Sequence, residues 1–282
     1  MLKLQKVLHE DQKNRFLQSA YVPGSIFKVV TTAAALEEIP DIMEQTFTCT
    51  GKIEFGIDYV SCERAHGKQD LKHALANSCN CAFAQVAELI GKDRMTDYVQ
   101  RFGLLDPVSF DGITTSRGSY DVSDAAPVSF AWSCIGQYTD LINPCGFMTF
   151  MGAIGGEGQA AQPYIVSHVT GGGETTYSAK IKQLPQVLSP EVAQKLQEYM
   201  RNNVELIYGA GNFPGLTVCA KSGTSQLGGE ETSNAMFAGF VADEEYPLAF
   251  IVVVENGGYG ASACVPVLSR VLDACKAVLD GE

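Results

Sequence analysis

Little in these 282 residues points to a membrane or a nucleic acid. The longest apolar stretch in the strand-like region, Leu248–Val254, falls far short of the roughly 20 residues that a helix needs to cross a bilayer. No secretory signal is visible at the start. Basic residues are scarce, 20 Lys and Arg against 32 Asp and Glu, for a net charge of −12. With no basic cluster interleaved with aromatics, that balance argues against nucleic acid and against an anionic membrane surface as partners. Repeats and low-complexity tracts are absent. Charged residues make up 18% and hydrophobic ones 46%, which reads as a globular chain that buries a sizeable core in one domain or two.

Metal-ligand spacing is also lacking. The four histidines, His9, His66, His73 and His168, read as surface or satisfied polar groups. Nine cysteines are scattered along the chain, and Cys79-Asn80-Cys81 is not a Cys-x-x-Cys pair. Cys49 and Cys62 could bridge the loop after the first long helix, but scattered cysteines also serve as small buried hydrophobes. Cys79 and Cys219 read as bystanders. No metal and no cofactor is expected.

What is present is a set of three short motifs in one order: Ser25-Ile26-Phe27-Lys28, Ser78-Cys79-Asn80 and Lys221-Ser222-Gly223-Thr224. Ser-x-x-Lys, Ser-x-Asn and Lys-Ser/Thr-Gly together describe a serine acyl-transfer site with lysine as base. Each alone has an ordinary structural explanation: a helix cap, an inter-helix turn, a charged strand end. Pro23-Gly24 ends an extended segment, and an apolar, Ala-rich run follows. Ser25 is therefore expected near the first turn of a helix, with Lys28 one turn on, on the same face. Free lysine titrates near about 10.4, so bringing it near 7 costs about 4 kcal/mol. Burial and a second cation, for which Lys221 is the candidate, both push that way. Leu216–Ala220 reads as a strand running into Lys221, and Gly223 would let a substrate lie close against it. Ser25 N–H and Thr224 N–H could form an oxyanion hole, and Lys221 and Ser222 could hold a carboxylate. Ser78 could relay a proton to a leaving amine, and Asn80 could bond a substrate amide.

Along the chain the patterns predict a lead-in helix over 2–18 and a nucleophile helix over 25–38. Small strands follow over 45–63, then helical segments over 70–101. Residues 103–131 read as loop-rich, before a helix at 141–154. A hairpin turning at Thr170–Glu174 joins strands 163–170 and 175–183. Ser189-Pro190 opens a helix to about Leu206. Strands 216–224, 235–243 and 247–256 form a meander, and helix 262–279 closes the chain. The layout predicts an α+β fold with a mainly antiparallel five-stranded sheet covered by helices, beside a mostly helical lobe.

The chain resembles the transpeptidase domain of penicillin-binding proteins, most closely the class B, monofunctional type. The three motifs carry the resemblance, together with Asn14-Arg15 ahead of Tyr21–Ser25, Phe47–Gly51, His66-Gly67 and Ala74–Asn80. Ile135-Gly136-Gln137, Pro163–Val166, Phe237–Val241 and Val252–Asn256 extend it over residues 14–280. It implies a lead-in segment at 1–13 and a β-lactamase/transpeptidase-like domain at 14–282, with a helical lobe inserted at about 64–160. The implied nucleophile is Ser25 with Lys28 as base, Ser78 and Lys221 completing the catalytic set. Asn80, Ser222, Gly223 and Thr224 are the implied substrate contacts. The implied substrate is the D-Ala-D-Ala end of a peptidoglycan stem peptide, and β-lactams would acylate the same serine. Cell-division or elongation proteins are the implied partners. The implied location is the extracytoplasmic face of a bacterial membrane, through an N-terminal anchor that is missing here. On that reading the chain is an excised, soluble catalytic domain, with Met1 an addition. Many unpaired thiols outside a cell would suit an anaerobe.

Two departures from the family pattern stand out: Ile26 follows the nucleophile where Thr or Ser is common, and the N-terminal half of a typical class B protein is absent. The alternatives are a β-lactamase, a D,D-carboxypeptidase and a non-catalytic β-lactam sensor. The Glu-x-x-Leu-Asn segment of class A lactamases is not found, so slow deacylation is expected. The sensors compared carry an aromatic residue where this chain has Ser78. The sequence leaves the choice between water and an amine as acyl acceptor open.

Overall fold

Helix α2 (Lys28–Glu38) forms the axis of the molecule: every residue from Lys28 to Ala35 is buried. A helix buried on all sides must satisfy its polar groups internally. Thr31 Oγ1 donates to Cys134 O at 2.6 Å, and Thr32 Oγ1 donates to Lys28 O at 2.7 Å. The computed structural model describes residues 13–225 and 233–281. Residues 2–12 of the expected lead-in helix lie outside the described residues. Its remainder is the short α1 (Arg15–Gln18), capped by Asn14, whose side chain accepts from Leu17 N–H.

After α2 come β1 (Phe47–Cys49), β2 (Lys52–Phe55), β3 (Asp58–Ser61) and β4 (Gly67–Gln69), paired antiparallel as β1 with β4 and β2 with β3. The helical lobe follows with α3 (Leu71–Ala76), α4 (Asn80–Ile90) and α5 (Lys92–Arg101). A minimal hairpin, β5 (Ser109–Phe110) with β6 (Ile113–Thr114), leads on to α6 (Pro127–Ile135) and α7 (Pro144–Gly155). Helix α6 begins inside the stretch expected to be loop-rich. Its boundary signals are local: Pro127 at the first turn, and Gly136 in the left-handed region closing the end.

The hairpin is β7 (His168–Gly171) and β8 (Glu174–Ser178), turning at Gly172-Gly173, both with positive φ. Helix α8 (Pro190–Asn203) is capped by Ser189 as expected. The central sheet has the order β11 (Ala249–Val254), β10 (Asn234–Val241), β9 (Val218–Ser225), all antiparallel. Every residue of β10 is buried, as a central strand covered on both faces requires. Helix α9 (Gly260–Asp280) packs on one face, and α7 and α8 lie toward the other.

The α+β antiparallel architecture is as expected, but among the described residues the central sheet has three strands, not five. The two others are β7 and β8, which pair only with each other. All their residues are exposed, the cross-strand pair Val169 and Tyr177 included, so the hairpin stands clear of the buried sheet. No helix among the described residues is long and apolar enough to cross a membrane.

Candidate active site

The serine of the first motif sits in a 3-10 turn, Gly24–Phe27, that runs straight into α2. Gly24 has φ +56°, and a Cβ there would fall 2.6 Å from Thr224 O. Only glycine allows this left-handed turn to press against β9. Gly24 N–H donates to Gly136 O at 2.8 Å, and the buried Ile26 and Phe27 anchor the turn from inside. A Cβ on Gly223 would meet Ile26 and Pro23 O at 3.0 Å. The close approach at Gly223 is thus made by the nucleophile turn rather than left open for a substrate. The reason lies in the period of the strand, which turns position 223 toward the turn.

Lys28 follows one turn later, fully buried. Its Nζ lies 3.0 Å from Ser25 Oγ, 3.0 Å from Ser78 Oγ, 2.7 Å from Ser78 O and 2.7 Å from Asn80 Oδ1. The two shortest contacts are to carbonyl oxygens, which can only accept. A neutral amine has two N–H groups for these two carbonyls, and its lone pair is left for a hydroxyl proton. Asn80 is oriented for this by Nδ2, which donates to Ser61 O at 2.7 Å. Ser78 has φ +51°, a left-handed conformation that costs a non-glycine residue about 1–2 kcal/mol. In that conformation its carbonyl and its hydroxyl both lie within hydrogen-bond reach of Lys28.

Lys221, on β9, is also fully buried, with Nζ 3.1 Å from Ser78 Oγ and 2.8 Å from Ser222 O. Among the described residues, the partners recorded for both lysines are neutral oxygens. Burial, and after it the Lys221 charge, push Lys28 well below the usual lysine range. Burial alone lowers Lys221 to about 7. The second cation required by the sequence argument is therefore in place. Its ammonium points at Ser78 from beneath the strand.

The rest of the third motif lies along the sheet edge. Ser222 N–H donates to Tyr208 Oη at 2.9 Å, and the Ser222 and Tyr208 hydroxyls are 2.9 Å apart. Since Ser222 N–H turns away from β10, period two turns Thr224 N–H the same way. The second residue of a helical turn likewise has no intrahelical acceptor, so Ser25 N–H is the matching donor. Thr224 is held by Gly260 N–H on its Oγ1, at 3.1 Å, and by Gln137 Nε2 on its carbonyl, at 2.9 Å. Such a site can take a proton from Ser25, stabilise an oxyanion and return the proton through Ser78.

All eight expected residues, Ser25, Lys28, Ser78, Asn80, Lys221, Ser222, Gly223 and Thr224, converge on this one place. Tyr208 and the role of Gln137 were not foreseen. Tyr208 rides on a single π turn, Val204–Tyr208, which no local pattern announces. The nine cysteines are all free, so the bridge between Cys49 and Cys62 that the sequence left open does not form. Instead the donor atoms of Cys49, Cys62, His66 and Cys79 lie within 4.8 Å of one another. The fold thus gathers His66, read from the sequence as a surface or satisfied polar group, and Cys79, read as a bystander, into one cluster, because it joins segments whose linear spacing carries no metal signature. Cys219 is buried in β9.

A family model described as the penicillin-binding protein transpeptidase domain matches residues 3–273. Peptidoglycan D,D-transpeptidase PbpA of Mycobacterium tuberculosis is 28% identical over 286 residues, with 95% of this chain and 57% of that protein covered. Stage V sporulation protein D of Bacillus subtilis is 27% identical, with 92% of this chain and 43% of that protein covered. The chain thus spans about half the length of such relatives. Among solved structures, the ceftriaxone acyl-enzyme of penicillin-binding protein A from M. tuberculosis superposes with a TM-score of 0.87 at 25% identity, covering 94% of this chain and 62% of that one. The D,D-transpeptidase domain of a peptidoglycan glycosyltransferase from Eggerthella lenta gives 0.83 at 26% identity, covering 93% and 68%. With the matched region running over nearly all of the described fold, the chain belongs to the penicillin-binding protein transpeptidase domain family.

Proposed function

We propose that this domain is a peptidoglycan D,D-transpeptidase that works through an acyl-enzyme on Ser25. The observation that carries the proposal is the surrounding of Lys28 Nζ: two carbonyl acceptors at 2.7 Å and the Ser25 hydroxyl at 3.0 Å, with no room for solvent around a buried amine. Ser25 Oγ attacks the carbonyl carbon of the penultimate D-Ala while Lys28 takes its proton. The oxyanion forms between Ser25 N–H and Thr224 N–H. As the C–N bond breaks, the proton passes from Lys28 through Ser78 Oγ to the leaving D-Ala amine. An amine on a neighbouring strand then attacks the acyl carbon, and Ser25 regains its proton.

Ser222 and Thr224, the half-buried residues of the strand end, meet the terminal carboxylate. Lys221, buried behind them, acts through Ser78 and through the charge it carries when protonated. Asn80 keeps one N–H for a substrate amide. β-Lactams acylate the same serine, but their leaving nitrogen stays tethered. The domain acts at the extracytoplasmic face of a bacterial membrane, where stem peptides are, alongside division or elongation proteins. The division into a segment 1–13 and a domain 14–282 with a lobe at about 64–160 belongs to the same reading.

The test is a stem pentapeptide ending in D-Ala-D-Ala, offered with a D-amino acid as acceptor. The expected result is release of D-Ala with formation of the exchanged peptide, both lost in Ser25→Ala. Release of D-Ala without exchange would make the domain a carboxypeptidase, and no release by a chain that penicillin acylates would overturn the substrate.

A further inference from the structure

The cluster beneath the Ser-x-Asn turn has the dimensions of a metal site. Cys49 Sγ lies 3.5 Å from His66 Nδ1, and Cys62 Sγ lies 3.8 Å from Cys79 Sγ. A tetrahedral zinc with bonds of about 2.3 Å to sulfur and about 2.0–2.1 Å to nitrogen requires S···N edges of about 3.5 Å and S···S edges of about 3.8 Å. A disulfide needs its sulfurs about 2.05 Å apart, so these distances do not describe a bridge. Small buried hydrophobes do not account for the cluster either, because an imidazole is among them and two of the four donors reach toward solvent. Cys49 and Cys79 are buried, whereas Cys62 and His66 are half-buried, which leaves a path for an ion to enter.

The donors come from three separate places: the end of β1 (Cys49), the loop between β3 and β4 (Cys62 and His66) and the cap of α4 (Cys79). Outer contacts suit thiolates. Cys81 N–H points at Cys62 Sγ and Ala82 N–H at Cys79 Sγ, each at 3.4 Å. Both belong to the first turn of α4, whose positive end favours negative sulfur. Cys81 Sγ also lies 3.6 Å from Cys62 Sγ and 3.8 Å from Val60 O, but it is not among the four donors that all lie within 4.8 Å of one another.

We infer that Cys49, Cys62, His66 and Cys79 bind one zinc ion in a closed, structural Cys3His centre. Three thiolates and an imidazole gathered within 4.8 Å of one another select zinc over magnesium or calcium, and four protein ligands leave no position for catalysis. Because Cys79 stands between Ser78 and Asn80, the ion ties the strands β1 to β4 to the turn that faces Lys28. The metal assignment stands on geometry alone, and its effect on acylation rests on the proposed function.

The test is elemental analysis of the whole chain purified under reducing conditions, for wild type, Cys62→Ser, His66→Ala and the remote control Cys275→Ser. One equivalent of zinc is expected in wild type and in the control, with a drop of about tenfold or more in the two ligand variants. Should those variants misfold, cobalt(II) exchanged into wild type provides a second readout: intense tetrahedral d–d bands with thiolate charge transfer are expected. Wild type that holds no stoichiometric zinc even after reconstitution would overturn the inference. So would equimolar iron in its place, zinc retained in both ligand variants, or cobalt spectra of six-coordinate oxygen type. Penicillin acylation measured on the same samples separates the two proposals. Zinc without acylation leaves the centre standing and removes the transpeptidase reading, and acylation without zinc does the reverse.

Discussion

Lys28 and Lys221 meet at a single oxygen. Ser78 Oγ lies 3.0 Å from the side-chain nitrogen of Lys28 and 3.1 Å from that of Lys221. Two buried amines sharing one hydroxyl cannot both hold a full charge cheaply, so the pair keeps a base available near neutrality and gives its proton a route out.

The pH dependence follows in sign. Both lysines titrate below their ordinary value, because burial disfavours the ammonium, and Lys28 is lowered further by Lys221. The neutral form therefore gains with rising pH. The rate of Ser25 acylation by a chromogenic cephalosporin is expected to climb with pH and to level off well below the ordinary lysine value of about 10.4. In Lys221→Ala the charge that depresses Lys28 is gone. The residual rate is expected to fall about 100-fold or more, with its rising limb moved to higher pH. A rising limb that stays in place would show that Lys221 does not tune Lys28.

The same shifts act on stability. The unfolded chain holds protons on both lysines that the folded chain sheds, so this pair destabilises the fold most at low pH. For Lys221 the penalty is complete below about 7 and fades as pH rises toward the ordinary lysine value. Urea midpoints taken from about pH 6 to about pH 9 should rise less steeply in Lys221→Met than in wild type.

Ser78→Gly separates catalysis from folding. It removes the relay hydroxyl, and acylation is expected to slow by about 100-fold or more. Glycine also accepts φ +51° without strain, which offsets the lost hydrogen bonds, so stability should change by less than about 1 kcal/mol. Stopped-flow acylation and a thermal melt on one sample check both halves. A large loss of stability would mean that the hydroxyl is mainly structural.

Tyr208→Phe takes from Ser222 the oxygen that receives its N–H and pairs with its hydroxyl. The expected cost is about 1–3 kcal/mol of stability. Weaker binding of penicillins before acylation is expected as well, with a smaller effect on the acylation step itself. A competition titration against a fluorescent penicillin distinguishes the two.

The sequence reveals the parts of this site that one element carries. Ser25 and Lys28 are legible because a helical turn brings them to one face. Lys221 and Thr224 are legible because a strand ends in a motif. Ser189-Pro190 marks its helix because caps are local chemistry. What escapes is set by tertiary contact. Tyr208 reaches Ser222 through a π turn, and the cysteine cluster draws on three segments that only the fold joins. The five-strand expectation fails because pairing pattern alone does not tell whether a hairpin such as β7–β8 has a face to bury. Helix α6 is a different case: Pro127 and Gly136 mark it, but a loop-rich neighbourhood outweighs those signals in a reading by composition.

The most direct test of the central claim is the intact mass of the chain after incubation with penicillin G, for wild type and Ser25→Ala, followed over hours. The account predicts one stable adduct per chain, equal in mass to the intact drug and absent from Ser25→Ala. No adduct on wild type, or an adduct that persists in Ser25→Ala, would contradict it. A transient adduct with the drug consumed would make the domain a β-lactamase instead.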